Sequence, residues 1–399
     1  MKLLRGVLAG SVLLALGMGL TAAVVLALGG DPGRALRAIH AGSLSSPSSL
    51  AETFLKATPL VFTGLSVAVA FRAGIWNIGV EGQFLVGMLG GTVAALLLPP
   101  LPGPLAVLVP LLAGSIAGLL WAAGPAFLKL RRQVPEVIST IMLNFLAVYL
   151  IEYLVRGPMK DPGSASDWSP LLPDATYLPR LSRWLGVQEL GGGSLALPGG
   201  TPLLATGVEA GRLHVGVLLA MLALVAAWLW LDRTGAGFRI RALGLGPSAA
   251  RAAGISTASV ARSAFLISGA LAGLGGAVEL LGIIQRLYRY APGTPGYGFS
   301  GIAVALLGGL SPPGILGAAL FFGALSAGCS QMQRSAAVSA QVASVVQAGL
   351  VLLLLLFQGR WGILLGGRSN PSHTDSLQNQ PAPAADRECL TLQKGEPSE

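Results

Sequence analysis

Between two long apolar segments the chain reads Phe71-Arg72-Ala73-Gly74-Ile75-Trp76-Asn77-Ile78-Gly79-Val80-Glu81-Gly82-Gln83. Polar side chains in or near hydrocarbon are costly unless they face protein or a water-filled cavity, so these residues are candidates for function. Asn77, Glu81 and Gln83 offer amide and carboxylate groups that suit a neutral polar solute, held loosely enough to be released. Gly74, Gly79 and Gly82 permit a broken helix whose own N–H and C=O groups line a pathway. Trp76 suits stacking on a base or sugar face, and equally an interfacial anchor. A plainer reading stands beside this one: a short cytoplasmic turn in which Arg72 and Glu81 are simply solvated.

Other polar residues at membrane depth are Asn144, Glu279, Gln285 and Gln347. An isolated Asn or Gln commonly serves a helix-to-helix hydrogen bond, so Asn144 and Gln347 read first as structural, with Asn144 kept as a pathway candidate. Glu279 is costlier to hide; it reads as a pathway or partnered group, or as one near the membrane surface. A second stretch, Arg241 to Ser256, places Pro247, Ser248, Ala249, Ala250 and Arg251 before Gly254. Proline suits a first helical turn and glycine a stop, so the spacing predicts a short helix over 247–255 lying along the membrane surface. Its small side chains admit close approach by a second protein; the alternative is a mere linker. No G-x-x-x-x-G-K-[ST] occurs, so nothing here cradles ATP phosphates. His40, His214 and His373 are scattered, and Cys329 and Cys389 lack metal-ligand spacing. No catalytic residue, metal or cofactor is predicted, and the chain does not read as an enzyme.

The elements that must position these residues follow from composition. Of 399 residues 53% are hydrophobic and only 11% charged, where a soluble domain carries about 25% charged residues; mean hydropathy is +0.70. A hydrocarbon core about 30 Å thick needs roughly 20 apolar residues per helical crossing. Apolar segments lie near 6–28, 54–71, 82–98, 105–128, 137–155, 213–231, 263–285, 298–310, 312–329 and 340–357. The first is longer than a signal-peptide core and reads as a retained helix. The expected fold class is therefore an all-α polytopic membrane protein of about ten transmembrane helices, with some segments, 298–310 above all, broken or re-entrant. The net charge of +9 sits mostly in short loops, where it signals topology rather than a nucleic-acid partner. Loops 129–136 and 232–262 are basic and predicted cytoplasmic; 156–212 balances its charges and is predicted external. Both termini then fall in the cytoplasm. Gly33, Arg37, Ala38, Ile39 and Gly42 align with Gly237, Arg241, Ala242, Leu243 and Gly246 at an offset of 204. An odd number of crossings per half makes such copies two inverted five-helix repeats. Residues 1–366 form the predicted membrane domain, and 367–399, rich in Ser, Pro and Gln, a disordered cytoplasmic tail.

Four stretches in order, "AFRAGIWNIGVEGQ", "VPEVISTIMLNF", "ALGLGPSAARAAGI" and "GYGFSGIAVALLGGLSPPG", resemble permease subunits of bacterial ABC importers, in the branched-chain amino acid, ribose and nucleoside permease group. The resemblance runs from about residue 50 to 357. Asn-Ile-Gly-Val-Glu-Gly-Gln at 77–83 is more similar to the nucleoside and simple-sugar branch than to the ribose branch. It implies nucleoside uptake across the inner membrane by alternating access. It also implies a separate ABC ATPase that hydrolyses ATP, a second permease, often a different paralogue, and an extracytoplasmic substrate-binding protein. The 247–255 helix would then be the coupling helix. Monosaccharide transport is the alternative within this group. Outside it stands an ion-coupled secondary transporter with Glu81 or Glu279 as the ion site.

Overall fold

The computed structural model describes residues 18–27, 31–99, 101–181, 212–289 and 296–336, three short strands within 188–204, and positions 345, 348 and 349. Its helices are α1 (Met18–Ala27), α2 (Pro32–Ser43), α3 (Pro47–Arg72), α4 (Val80–Leu97), α5 (Leu105–Arg132) and α6 (Glu136–Arg156). After the strands come α7 (Gly216–Arg233), α8 (Gly235–Leu245), α9 (Pro247–Ala252), α10 (Thr257–Glu279, continued by a wide π turn, Leu280–Ile284), α11 (Tyr297–Leu307) and α12 (Pro312–Ala336). Among the described residues seven of these, α3 to α7, α10 and α12, are long and apolar enough to cross a membrane.

Local chemistry sets the helix ends. Ser46 opens α3 with a reciprocal capping box to Ser49, and Pro47 occupies the first turn. Gly74, at φ +72°, takes the left-handed conformation that stops α3, with Gly74 and Ile75 N–H donating back to Phe71 and Ala70. Asp31 caps α2 and Thr234 caps α8.

In α3 83% of the membrane window is buried, against 28% for α6; a helix buried on nearly every side belongs at the centre. Helix α3 packs against α11, α12 and α10, while α10 packs against α4, α5 and α3. The α5–α10 contact is made by glycines: a side chain at Gly118 or Gly273 would collide with the facing helix backbone. Such small-residue seams let membrane helices approach closely.

The fold is helical as expected, and three short antiparallel strands, Gln188–Leu190, Ser194–Ala196 and Pro202–Leu204, are added within the 156–212 segment. Several expectations change. Helix α11 has 11 residues, about 16 Å at 1.5 Å each, too short to cross alone. The basic 129–136 loop shrinks to three residues because α5 runs to Arg132. Segments expected as loops hold helices α2 and α8. All but three positions of the expected crossing at 340–357, and the whole tail 367–399, lie outside the described residues, as does most of the first apolar segment.

Candidate functional site

The 71–83 stretch is two environments joined end to end. Trp76 is 54% exposed, leans on Phe71 with ring centroids 4.9 Å apart, and its N–H donates to Glu136 Oε1 at 3.4 Å. Asn77, Glu81 and Gln83 are buried, at 0–2% exposure, so the solvated turn is excluded for these three residues. The chain turns at Gly74 and returns alongside α3: Asn77 reaches Ser268, which is bonded to Ser66, six residues or roughly 9 Å before the end of α3. Helix α4 therefore starts inside the protein, as a broken helix does.

There the polar groups form a closed knot. Asn77 Nδ2 donates to Gln83 Oε1 at 3.0 Å and to Ser268 Oγ at 2.9 Å, and Asn77 Oδ1 accepts from Gly79 N–H and Gln83 Nε2. Ser66 Oγ donates to the Ser268 carbonyl at 2.7 Å, and Ser268 Oγ to the Ser66 carbonyl at 2.8 Å. Asn144 clamps the same stretch from α6: its Oδ1 accepts from Gly82 N–H at 2.8 Å and its Nδ2 donates to the Ile78 carbonyl at 2.9 Å. Glu81 Oε2 accepts from Gly298 N–H at 2.6 Å and Phe299 N–H at 3.3 Å, capping α11, where a carboxylate meets the positive end of a helix. Glu279, buried on α10, is bonded to the Tyr297 side chain at that same helix start. All the candidate pathway residues except Trp76 are thus gathered around the starts of α4 and α11, and their polar groups are engaged by protein. Ser66, Ser268 and Tyr297 were missed; the serine pair's separation of 202, close to the repeat offset of 204, was the available signal.

The second candidate region is the arm formed by α8 and α9. Helix α9 starts at Pro247 and ends before Gly254 at φ +77°. Pro247, Ser248, Ala249, Arg251 and Gly254 face outward, whereas Ala250 is 3% exposed and anchors the helix to its own chain. Beside it Leu245 is 84% exposed and Phe238 on α8 is also exposed, an apolar supplement that the small residues alone did not announce. Among the described residues no cluster of metal-ligating side chains occurs.

The family described as branched-chain amino acid transport system / permease component matches residues 49–356. The chain is 36% identical to the glucose ABC transporter permease protein TsgB13 of Haloferax volcanii, with 92% of each chain covered. It is 34% identical to the guanosine ABC transporter permease protein NupP of Bacillus subtilis, over 85% of this chain and 90% of that one. Against the nucleoside ABC transporter permease protein NupB of Lactococcus lactis it is 31% identical, over 88% and 91%. The last two organisms each have a second, more distant relative, NupQ at 28% and NupC at 26% identity. No solved structure matches.

Proposed function

We propose, on the premise that the chain belongs to the branched-chain amino acid transport system permease family, that this multi-pass ABC importer permease subunit carries nucleosides. A permease of this family is a transport subunit and not an enzyme; ATP is hydrolysed by a partner. The observation that carries the substrate reading is the pair of relatives named for guanosine and nucleosides, each matched over most of its length. The relative named for glucose supports a second reading, monosaccharide uptake.

The arrangement we infer is ten crossings in two inverted five-helix repeats, in a bacterial inner membrane with both termini cytoplasmic. Three observations support it. Ser66 and Ser268 exchange equivalent hydrogen bonds; α3 packs on α11 and α12 as α10 packs on α4 and α5; and the aligned glycine-arginine stretches fall on α2 and α8. The arginines of 232–262 favour a cytoplasmic arm. Its outward residues Pro247, Ser248, Ala249, Arg251 and Gly254, with Leu245, form the docking face for the ATPase, and Ala250 holds that face in place. Asn77, Glu81, Gln83, Asn144 and Glu279 act on the pathway by holding the broken α4 and short α11 beside it, and the exposed Trp76 is the pathway residue left free to meet the solute. A second permease, of the kind that NupQ and NupC represent, and an extracytoplasmic binding protein complete the importer.

The test is reconstitution of the permease with its ATPase, second permease and binding protein in liposomes. ATP-dependent accumulation of guanosine, unaffected by excess glucose, is expected. Accumulation of glucose with none of guanosine would transfer the assignment to monosaccharides.

A further inference from the structure

We propose that Asp232 exchanges arginine partners, from Arg72 to Arg241, when the cytoplasmic arm moves, and that this exchange carries the movement into the broken helix at 73–79. Asp232 lies in the last turn of α7, where the negative helix end disfavours a carboxylate unless cations answer it. Two arginines do, from different parts of the molecule, and both approach the same oxygen. Arg72 Nη1 donates to Asp232 Oδ1 at 2.8 Å while its Nε donates to the Leu310 carbonyl at 2.8 Å, tying it to the α11–α12 connection. Arg241 Nη1, from the arm, stands 3.6 Å from that oxygen, too far for a hydrogen bond. That nitrogen is buried and has no hydrogen-bond partner. A buried, unpaired guanidinium donor is expensive, and a shift of under about 1 Å would bring it within the usual N–H···O distance.

The arm cannot make that shift alone. Gly244, three residues beyond Arg241 on α8, lies directly against the Arg72 carbonyl and the Gly74 backbone, and a side chain there would collide with the first and crowd the second. Movement of α8 therefore presses on the point where α3 ends and the chain turns. Ile75 and Trp76 lead from there to Asn77 and the Ser66–Ser268 pair. Arg72 and Arg241 are thus positioning residues competing for one acceptor: one holds the arrangement seen here, and the other is one step from replacing it. The proposal rests on the arm being the ATPase docking element.

The experiment uses the assembled importer in nanodiscs, with Cys329 and Cys389 changed to alanine and Trp76→Cys as the sole thiol. It reads the labelling rate by a membrane-impermeant maleimide with and without ATP. Arg241→Gln should hold the rate at its ATP-free value, and Arg72→Gln should move the ATP-free rate toward the ATP-bound one, an opposite sign. Adding Asp232→Asn to either should bring the two to a common rate, and Arg241→Lys should restore at least a third of the ATP response. Each Gln variant, tested with Trp76 in place, should cut uptake at least tenfold. Shifts of the same sign in the two variants, or an intact ATP response in Arg241→Gln, would overturn the exchange. If Ala249→Trp still co-purifies with the ATPase while the opposed signs persist, the docking reading fails and the exchange stands.

Discussion

In the knot at 77–83 the polar side chains are buried and bonded to protein, whereas in the arm at 235–256 small and apolar side chains face outward with little packed over them. The Asn77 side chain alone takes part in four hydrogen bonds; Leu245 is 84% exposed. In the knot polarity maintains an irregular backbone that hydrocarbon would not otherwise tolerate. In the arm the exposed apolar side chains form the face that, under the docking reading proposed above, the ATPase would cover. Polar residues at depth are here the structural ones, and bland residues at the surface are the ones available to a partner.

The contrast predicts a graded series in stability. The largest effect belongs to Gly298→Val, because a side chain at 298 collides with the Glu81 backbone and carboxylate. Overpacking of this kind costs about 3 kcal/mol or more, read as lost thermal stability and low membrane yield. A site outside both regions gives a pH-dependent reference. Burial, with Arg212 beside it, pushes the His214 imidazole from its ordinary value down to about 4. The folded chain prefers the neutral ring, so its contribution is complete above pH 6.5 and is lost as pH falls from 6.5 toward 4. That loss is on the order of 3 kcal/mol, and a thermal-melt series across this range should flatten in His214→Gln. Asn77→Leu should cost about 2 kcal/mol by leaving the Gln83 amide without its partner. Ala249→Trp in the arm should leave stability within about 0.5 kcal/mol of the unsubstituted protein while abolishing ATPase co-purification. A destabilisation by Ala249→Trp equal to that of Asn77→Leu would erase the contrast between the regions.

Much of the fold was legible because a bilayer imposes its thickness on the chain. The segments near 82–98, 105–128 and 137–155 reappear as α4, α5 and α6, and the shortness of 298–310 reappears in α11. Helices α2 and α8 were hidden in apparent loops, since Asp31 and Thr234 are common capping residues and short surface helices leave no long apolar run. The knot was legible only as a list of residues. Whether Asn77 is solvated or buried is decided by Ser268, 191 positions away, and no local pattern carries that distance. Likewise the identity of the outward face of α9 depends on how Ala250 docks onto the rest of the chain, which alanine content alone does not reveal.

The exchange of bonds between Ser66 and Ser268 ties the first half of the chain to the second. Each hydroxyl bonds to the other's carbonyl, the self-complementary contact that two identical subunits make across a twofold axis. A chain cut between the two serines therefore leaves each half with its own share of the contact. Chains severed in the 156–212 segment and co-expressed as two pieces retain both complementary serines, and should find each other in the membrane.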